Sequence, residues 1–235
     1  MKDLDNPLIK QGMAAQLARR RSEMAGGARP LGWKVGLGAP AMLEKIGLKG
    51  PLVGYLMQRG LLLSGSTVSL QGYVQPVMEA EIAVRMARSL PGGATADAAA
   101  DAVKEIMPAI EIADLDPLPA PDNLAAVLEG NVYHRHVVLC GNTRPGAATS
   151  GLTSRLIRRG GEVSATGNPE LLTGKLPDIV AHVANVLAAC GETLSAGDVI
   201  ITGSITPPVM IEPDETEIAH VLDPVGDVSV SLSRD

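Results

Sequence analysis
The pattern of apolar positions switches repeatedly between a helical and a two-residue period. Over residues 6–25, Leu8, Met13, Leu17 and Met24 fall roughly on one side, which predicts a helix ended by Gly26-Gly27. Residues 31–35 read as a short strand, and 39–46 as the start of a helix with Pro40 tolerated in its first turn. Gly60, Gly65 and Gly72 break 51–56 and 61–70 into short strands and turns. A longer strand is predicted over 76–87, a turn at 91–93, and a helix over 95–107 capped by Thr95. Pro108 then leads into a strand at 109–113, and the prolines of 117–121 impose a loop.

The second half predicts a strand at 136–140, a hairpin around 155–164 and a loop at 167–169. The clearest helix spans 176–190 and stops at Gly191. A strand at 198–202 and a loop at 203–208 follow, and the alternating VSVSLS of 228–233 marks the tail, 220–233, as a closing strand. Strands crowd the middle and helices punctuate them without strict alternation, which favours an α+β fold over a doubly wound sheet. One domain is expected, with 1–70 a short N-terminal subregion and 71–235 the core.

Composition changes this picture little. The 235 residues suffice for one sizeable core, and 46% hydrophobic with 20% charged residues is ordinary globular usage. Phe is absent and aromatics make up 2%, so the core must come from Val, Ile, Leu, Ala and Met. A net charge of −6, with no basic run beyond Arg19-Arg20-Arg21, argues against a nucleic-acid partner. Cys140 and Cys190 lie far apart in apolar stretches and read as buried free thiols in a reducing compartment. The opening MKDLDNPLIK has no signal-peptide core. The apolar run 179–189 is short and carries His182 and Asn185, so no membrane span and a cytoplasmic location are expected.

One stretch breaks its own pattern. In QPVMEAEIAVRM, residues 75–86, Glu79 and Glu81 interrupt a strand that otherwise reads as buried. Alternate strand residues share a face, so the two carboxylates stand side by side with Cβ atoms roughly 6–7 Å apart. Unpaired, they would repel one another and resist desolvation. A divalent cation such as Mg²⁺ or Mn²⁺, which prefers hard oxygen ligands, removes both penalties. Alone, the pair would equally suit the wet face of an antiparallel strand. The segment MPAIEIADLD, 107–116, repeats the anomaly with Glu111 between Ile110 and Ile112, followed by Asp114 and Asp116. That third carboxylate turns the reading toward a metal site.

These residues resemble a known family. PVMEAEIAV followed by PAIEIADLD is similar to the fumarylacetoacetate hydrolase superfamily, and most of all to its 2-keto-4-pentenoate hydratase and 4-oxalocrotonate decarboxylase branch. GWKVGL (32–37), GNPELL (167–172), LSAGDVIITGSITPPV (194–209) and GDVSVSL (226–232) follow in the order of that branch. The resemblance implies a highly curved, mixed β-sheet fold with flanking helices, roll- or barrel-like. It implies a carboxylate triad of Glu79, Glu81 and Glu111 holding Mg²⁺ or Mn²⁺, with Glu81 and Lys34 in catalytic roles. The substrate would be a short 2-oxo or 2-hydroxy-dienoic acid of aromatic meta-cleavage type, processed through a metal-stabilised enolate by hydration or decarboxylation. Lys34 would hold the substrate carboxylate or shuttle a proton; the plainer reading is a strand-end lysine in solvent. Asn131 and the loop groups of Thr202, Gly203 and Ser204 are expected to bind substrate, unless that loop is a plain Gly/Pro turn. Assembly as a homodimer or larger is also implied.

The chain departs from the branch in places. An acid usual in the segment GYLMQRG (54–60) aligns with Gln58 or Arg59, and the stretch before Lys34 is shorter than usual. These losses motivate an alternative, a non-catalytic 2-oxo-acid binder or a partner subunit of a related lyase. A further alternative, a C–C hydrolase of acylpyruvates, is disfavoured because no His precedes residue 134. Tyr133, His134 and His136 do not match the branch. Alternation puts His134 and His136 on one face, but without a third ligand at suitable spacing they read as surface or interface histidines rather than a zinc site. His182 and His220 look isolated. Gly36-Leu37-Gly38-Ala39-Pro40-Ala41 mimics a dinucleotide fingerprint, yet the acid expected about twenty residues later is replaced by Gln58 and Arg59.

Overall fold
Asn6 opens the first helix by accepting a hydrogen bond on Oδ1 from the Leu8 N–H at 2.9 Å, with Pro7 at the first helical position where no N–H is needed. The structure is a computed structural model and describes residues 2–115, 123–158 and 161–235. Helix α1 is Pro7–Ala25, followed by β1 (Pro30–Gly36), α2 (Pro40–Ile46) and β2 (Leu52–Met57). Short strands β3 (Leu61–Leu63) and β4 (Ser66–Ser69) precede the long β5 (Pro76–Met86). Then come α3 (Ala96–Ala102), β6 (Val103–Asp114), α4 (Leu124–Glu129), β7 (His134–Leu139) and β8 (Arg144–Pro145). The hairpin β9 (Thr153–Arg158) and β10 (Gly161–Thr166) leads to α5 (Leu176–Ala189). The chain closes with β11 (Val199–Ser204), β12 (Val209–Met210), β13 (Glu217–Asp223) and β14 (Gly226–Ser233).

Two mixed sheets result. The larger, curled like a half-barrel, runs β2-β1-β11-β5-β6-β7-β3, with β12 on β5 and β8 on β6. The smaller runs β10-β9-β13-β14-β4. The pairs β1–β11, β3–β7 and β4–β14 are parallel, and the others antiparallel. The α+β architecture expected from the sequence is the one observed. Pro108 sits inside β6, opposite Ile82 of β5. On the other edge of β6 the ladder passes from β7, which ends at Leu139 opposite Ala109, to β8 opposite Ile106. The proline, which has no N–H to donate, stands between these two partners.

Several boundaries differ from the sequence reading. The helix predicted over 95–107 stops at Ala102, and Val103–Met107 join β6. Val84 faces Ile106 across the strands, and Arg85 pairs with Glu105 at 3.0 Å, so cross-strand partners override local helical composition. The single tail strand is a hairpin, because Pro224 interrupts the ladder and β13 and β14 pair on either side of it. Helix α4 was not predicted, although Asn123 caps it by accepting from Ala126 N at 3.2 Å and Gly130 ends it. The predicted loop at 117–121 and Asp116 lie outside the described residues. Cys140 and Cys190 are free, as expected, but only half-buried.

The two sheets meet through apolar side chains and a buried polar bridge. His220 of β13 is fully buried, with Nδ1 3.0 Å from the Ala109 carbonyl of β6 and Nε2 3.1 Å from the Ser154 hydroxyl of β9. The carbonyl only accepts, so Nδ1 carries the proton and Nε2 accepts from Ser154. The neutral ring is thus satisfied, and burial pushes its pKa down to about 4. The unfolded chain binds a proton here below about pH 6.5 and the native one does not. Stability contributed by the neutral ring is therefore complete above pH 6.5 and falls as the pH drops toward 4, by up to about 3 kcal/mol. Urea unfolding between pH 7.5 and 4.5 is expected to show this loss, and a His220→Gln variant, though less stable at neutral pH, should lose less over the same interval.

Candidate metal centre and active site
The register of four neighbouring strands assembles the site. Glu79 of β5 lies opposite Glu111 of β6, and Glu81 opposite Ala109. On the other side of β5, Ser204 of β11 lies opposite Glu81, and Lys34 of β1 is opposite Ile201 of β11. Oxygens of Glu79, Glu81 and Glu111 all come within 4.8 Å of one another. The Lys34 ammonium donates to both Glu111 oxygens at 2.5 and 2.6 Å and to the Val132 carbonyl at 3.1 Å. Lys34 is 2% exposed, so it is no strand-end lysine reaching solvent.

The space around Lys34 depends on glycines and on an unusual turn. A Cβ at Gly54 would sit 2.9 Å from Lys34 Cγ and 2.9 Å from Asn131 Oδ1, and one at Gly36 would meet Val132 Cγ1 at 2.7 Å. Asn131, Val132 and Tyr133 all have positive φ, at 56°, 51° and 64°. A left-handed conformation costs roughly 1–2 kcal/mol per non-glycine residue. The turn is held by the Asn131 amide, whose Oδ1 accepts from Tyr55 N at 2.8 Å while Nδ2 donates to Tyr55 O at 2.9 Å. It aims the Val132 carbonyl at Lys34 and delivers the chain to His134.

His134 is the group that sequence reasoning passed over. Its Nδ1 lies 2.7 Å from Glu111 Oε1, and its side chain is buried. A bulge in the β6–β7 ladder, between Ile112 and Ala113, shifts the register at His134, and His134 and His136 still line one cavity. His136 pairs opposite Ile112, whereas His134 pairs opposite Ala113 and turns toward Glu111. A bulge leaves no mark in a pattern of alternate residues; the three-residue left-handed turn before it was equally silent.

Charge is badly unbalanced in this pocket. Burial, reinforced by the Glu111 charge and only partly offset by Lys34, raises the Glu79 pKa to about 7. Burial and the charges of Glu111 and Glu79 push Glu81 well above the usual carboxylate range, despite a 2.6 Å hydrogen bond from Gly203 N to its Oε2. Burial opposes ionisation of Glu111 as well, but the Lys34 charge and the His134 contact win and hold its pKa down. Burial would lower the Lys34 pKa, yet Glu111 and Glu79 together raise it, so it remains an ammonium. Burial holds His134 below its ordinary value, toward the neutral ring. Ionised together, the three glutamates exceed the one ammonium by two negative charges. Glu81 Oε1 is buried without a hydrogen-bond partner. Two surplus charges, hard oxygen donors and an orphaned carboxylate oxygen fit one divalent cation.

Glu79 also lines a cavity of about 310 Å³. Its walls come from the Gly36–Met42 region, from Leu172 and Thr173 after the GNP segment, and from the loop after β11. The predicted substrate groups stand at the end of β11, not in a loop, and are partly engaged. Thr202 Oγ1 donates to Ile82 O at 2.9 Å, Gly203 N to Glu81, and Ser204 Oγ to Thr206 O at 2.6 Å. Thr206 Oγ1, which the sequence did not single out, is buried without a partner and lines the cavity. Asp114 lies off the cluster, accepting from Gln75 N at 2.9 Å and tying the entry of β5. Gln58 and Arg59 sit exposed on a turn after β2, and neither lines this cavity.

Comparison with known proteins agrees with this geometry. The family model described as fumarylacetoacetate (FAA) hydrolase C-terminal matches residues 43–228. The chain belongs to the fumarylacetoacetate hydrolase family. Within that family it falls with the hydratase and decarboxylase branch. It is 28% identical over 210 residues to 2-keto-4-pentenoate hydratase 2 of Dechloromonas aromatica, covering 86% of this chain and 78% of that protein. It is 30% identical over 200 residues to a 4-oxalocrotonate decarboxylase of Pseudomonas putida, covering 84% and 75%. The solved 4-oxalocrotonate decarboxylase from Pseudomonas putida G7, complexed with magnesium and adipate, superposes with a TM-score of 0.87 at 24% identity, over 99% of this chain and 89% of that one. Among the described residues, no helix of this family member is long and apolar enough to cross a membrane.

The charge imbalance sets two expectations. Mg²⁺ affinity, read from the fluorescence of the single tryptophan, Trp33, beside Lys34, should weaken as the pH falls below about 7, where Glu79 takes up a proton that competes with the cation. Glu81→Gln should leave the metal-free protein at least as stable to heat, since a repelled buried carboxylate is removed. The same variant should lose the rise in Tm that Mg²⁺ gives the wild type.

Proposed function
We propose that this protein is a divalent-metal-dependent lyase acting on a short 2-oxo or 2-hydroxy-dienoic acid, as a hydratase or decarboxylase. The observation that carries the reading is the convergence of Glu79, Glu81 and Glu111 on adjacent strands with a net deficit of positive charge, beside a cavity that Glu79 lines. Glu79, Glu81 and Glu111 would hold Mg²⁺ or Mn²⁺. Bound there, the cation supplies Lewis-acid polarisation of the 2-oxo group and stabilisation of the negative charge that develops next to it. The family's solved structures include a decarboxylase with magnesium and a fumarylpyruvate hydrolase with Mn²⁺ and pyruvate, which supports such a donor set.

The chain's own residues supply the rest. Lys34, held as an ammonium by Glu111, is a fixed positive charge beside the cluster and orients the Glu111 carboxylate through both oxygens. Its raised pKa suits this electrostatic role better than service as a base. His134 fixes Glu111 from the other side. Thr206 Oγ1, with the backbone of the loop after β11, offers hydrogen bonds to the substrate carboxylate. Leu37, Met42, Leu172 and Ile179 give the rest of the cavity an apolar wall that limits water. One catalytic domain contains all of these groups. The non-catalytic alternative draws on the missing acid at Gln58 or Arg59 and on the short stretch before Lys34; the clustered carboxylates, costly to keep unused, speak against it.

Purified protein with Mg²⁺ or Mn²⁺ is expected to turn over at least one of 2-hydroxypenta-2,4-dienoate, 4-oxalocrotonate or oxaloacetate, followed by ultraviolet absorbance and CO₂ release. Chelation should abolish turnover, and Glu81→Ala should reduce it by at least about a hundredfold. Oxalate binding that needs the metal, with no turnover of any of these acids, would instead favour a binding protein.

A further inference from the structure
The cavity in front of the carboxylates, about 310 Å³ in volume, has a one-sided chemistry. Among the described residues, Glu79 is the only ionisable side chain that lines it. Lys45 and Lys175, which flank the wall segments in sequence, are exposed and do not line it. Most hydroxyls in the wall are already engaged. Thr173 Oγ1 donates to Gly174 O at 3.1 Å, Thr202 Oγ1 to Ile82 O and Ser204 Oγ to Thr206 O. That leaves Thr206 Oγ1, already assigned to the substrate carboxylate, without a partner. The other side chains of the wall are apolar, with Leu37, Met42, Leu172 and Ile179 the largest.

Leu37 adds an independent observation. Its φ is 56°, in the left-handed region that few residues other than glycine adopt. Glycine stands on both sides of it, and a Cβ at Gly38 would already lie 3.0 Å from Pro51 Cβ. A glycine at position 37 would take the same turn without strain. The chain instead holds a leucine there, and that leucine lines the cavity. Backbone strain of this kind clusters at ligand-binding sites, where it places a side chain that the site needs.

We propose that this wall selects acids with one carboxylate and an uncharged, apolar distal end, and that Leu37 and Met42 set the selection. The inference rests on the reading of the site as a metal-dependent 2-oxo-acid centre. With the 2-oxo acid head at the carboxylate cluster, the far end of the substrate lies against Leu37, Met42 and Leu172. A methyl or alkyl end gains there by leaving water. A second carboxylate would lose its water and meet neither a cation nor an unengaged hydroxyl. The cost of that unpaired charge rejects dicarboxylic acids. Monocarboxylic 2-hydroxypenta-2,4-dienoate is therefore favoured in binding over dicarboxylic 4-oxalocrotonate.

A pair of saturated acids separates the far end from the head. 2-Oxohexanoate and 2-oxoadipate share the same carbon chain and 2-oxo acid head, and end in a methyl and a carboxylate respectively. Neither has a double bond to hydrate, so binding to the magnesium-loaded protein can be followed by titration calorimetry, with pyruvate as the control that lacks a tail. 2-Oxohexanoate should bind at least about tenfold more tightly than 2-oxoadipate. Met42→Lys should narrow or reverse that ratio by placing a cation on the wall. Leu37→Gly should cost 2-oxohexanoate at least about threefold in affinity and pyruvate less, with thermal unfolding confirming that both variants fold. Equal or tighter binding of 2-oxoadipate by the wild type, or a ratio that both variants leave unchanged, would overturn the proposal and leave the 2-oxo-acid centre standing. Failure of pyruvate and both longer acids to bind with magnesium present would overturn that centre, and the proposal with it.

Discussion
The buried contact between the Lys34 ammonium and the Glu111 carboxylate organises this molecule. Moving either charge out of water alone would cost several kcal/mol, and the pair recovers that cost only through close geometry and further hydrogen bonds. The fold provides both. Lys34 reaches Glu111 because β1, β11, β5 and β6 are neighbours in one sheet, and its remaining contact goes to the Val132 carbonyl. Yet the pair neutralises only one of three carboxylates. Glu79 and Glu81 stay in a region that disfavours their charge, which is why a cation completes the arrangement instead of decorating it.

Strain in the turn at Asn131–Tyr133 belongs to the same account. Three successive left-handed residues without a glycine would not persist unsupported. Two hydrogen bonds from the Asn131 side chain to Tyr55 clamp the turn against β2, and α4 leads directly into it. In return, the turn supplies a carbonyl to Lys34 and a histidine to Glu111. Gly54 and Gly36 leave the room that this approach needs. Local strain and local pre-organisation are here the same residues.

Much of this was legible in the residues, and the rest was hidden for physical reasons. Alternation alone put Glu79 and Glu81 on one face, and Glu111 betrayed itself as a charge inside an apolar strand. The order of strands and helices was readable wherever glycine and proline punctuated it. What failed was whatever depends on pairing between distant segments. Residues 103–107 look helical until β5 lies beside them. His134 and His136 look equivalent until a bulge against β6 sets His134 onto Glu111. Alignment places a residue along the chain, whereas the register of a sheet places it in space.

The front cavity divides its labour between two kinds of structure. The charged groups stand on long strands locked by ladders on both sides, while the walls come from the 36–42 region, the residues around Leu172 and the loop after β11. Loops tolerate exchange of residues far better than paired central strands do. Selection can therefore reshape the wall, and with it the part of the substrate that the cavity accepts, without disturbing the carboxylates beneath. Such an architecture lets a lineage change its substrate while inheriting its chemistry intact.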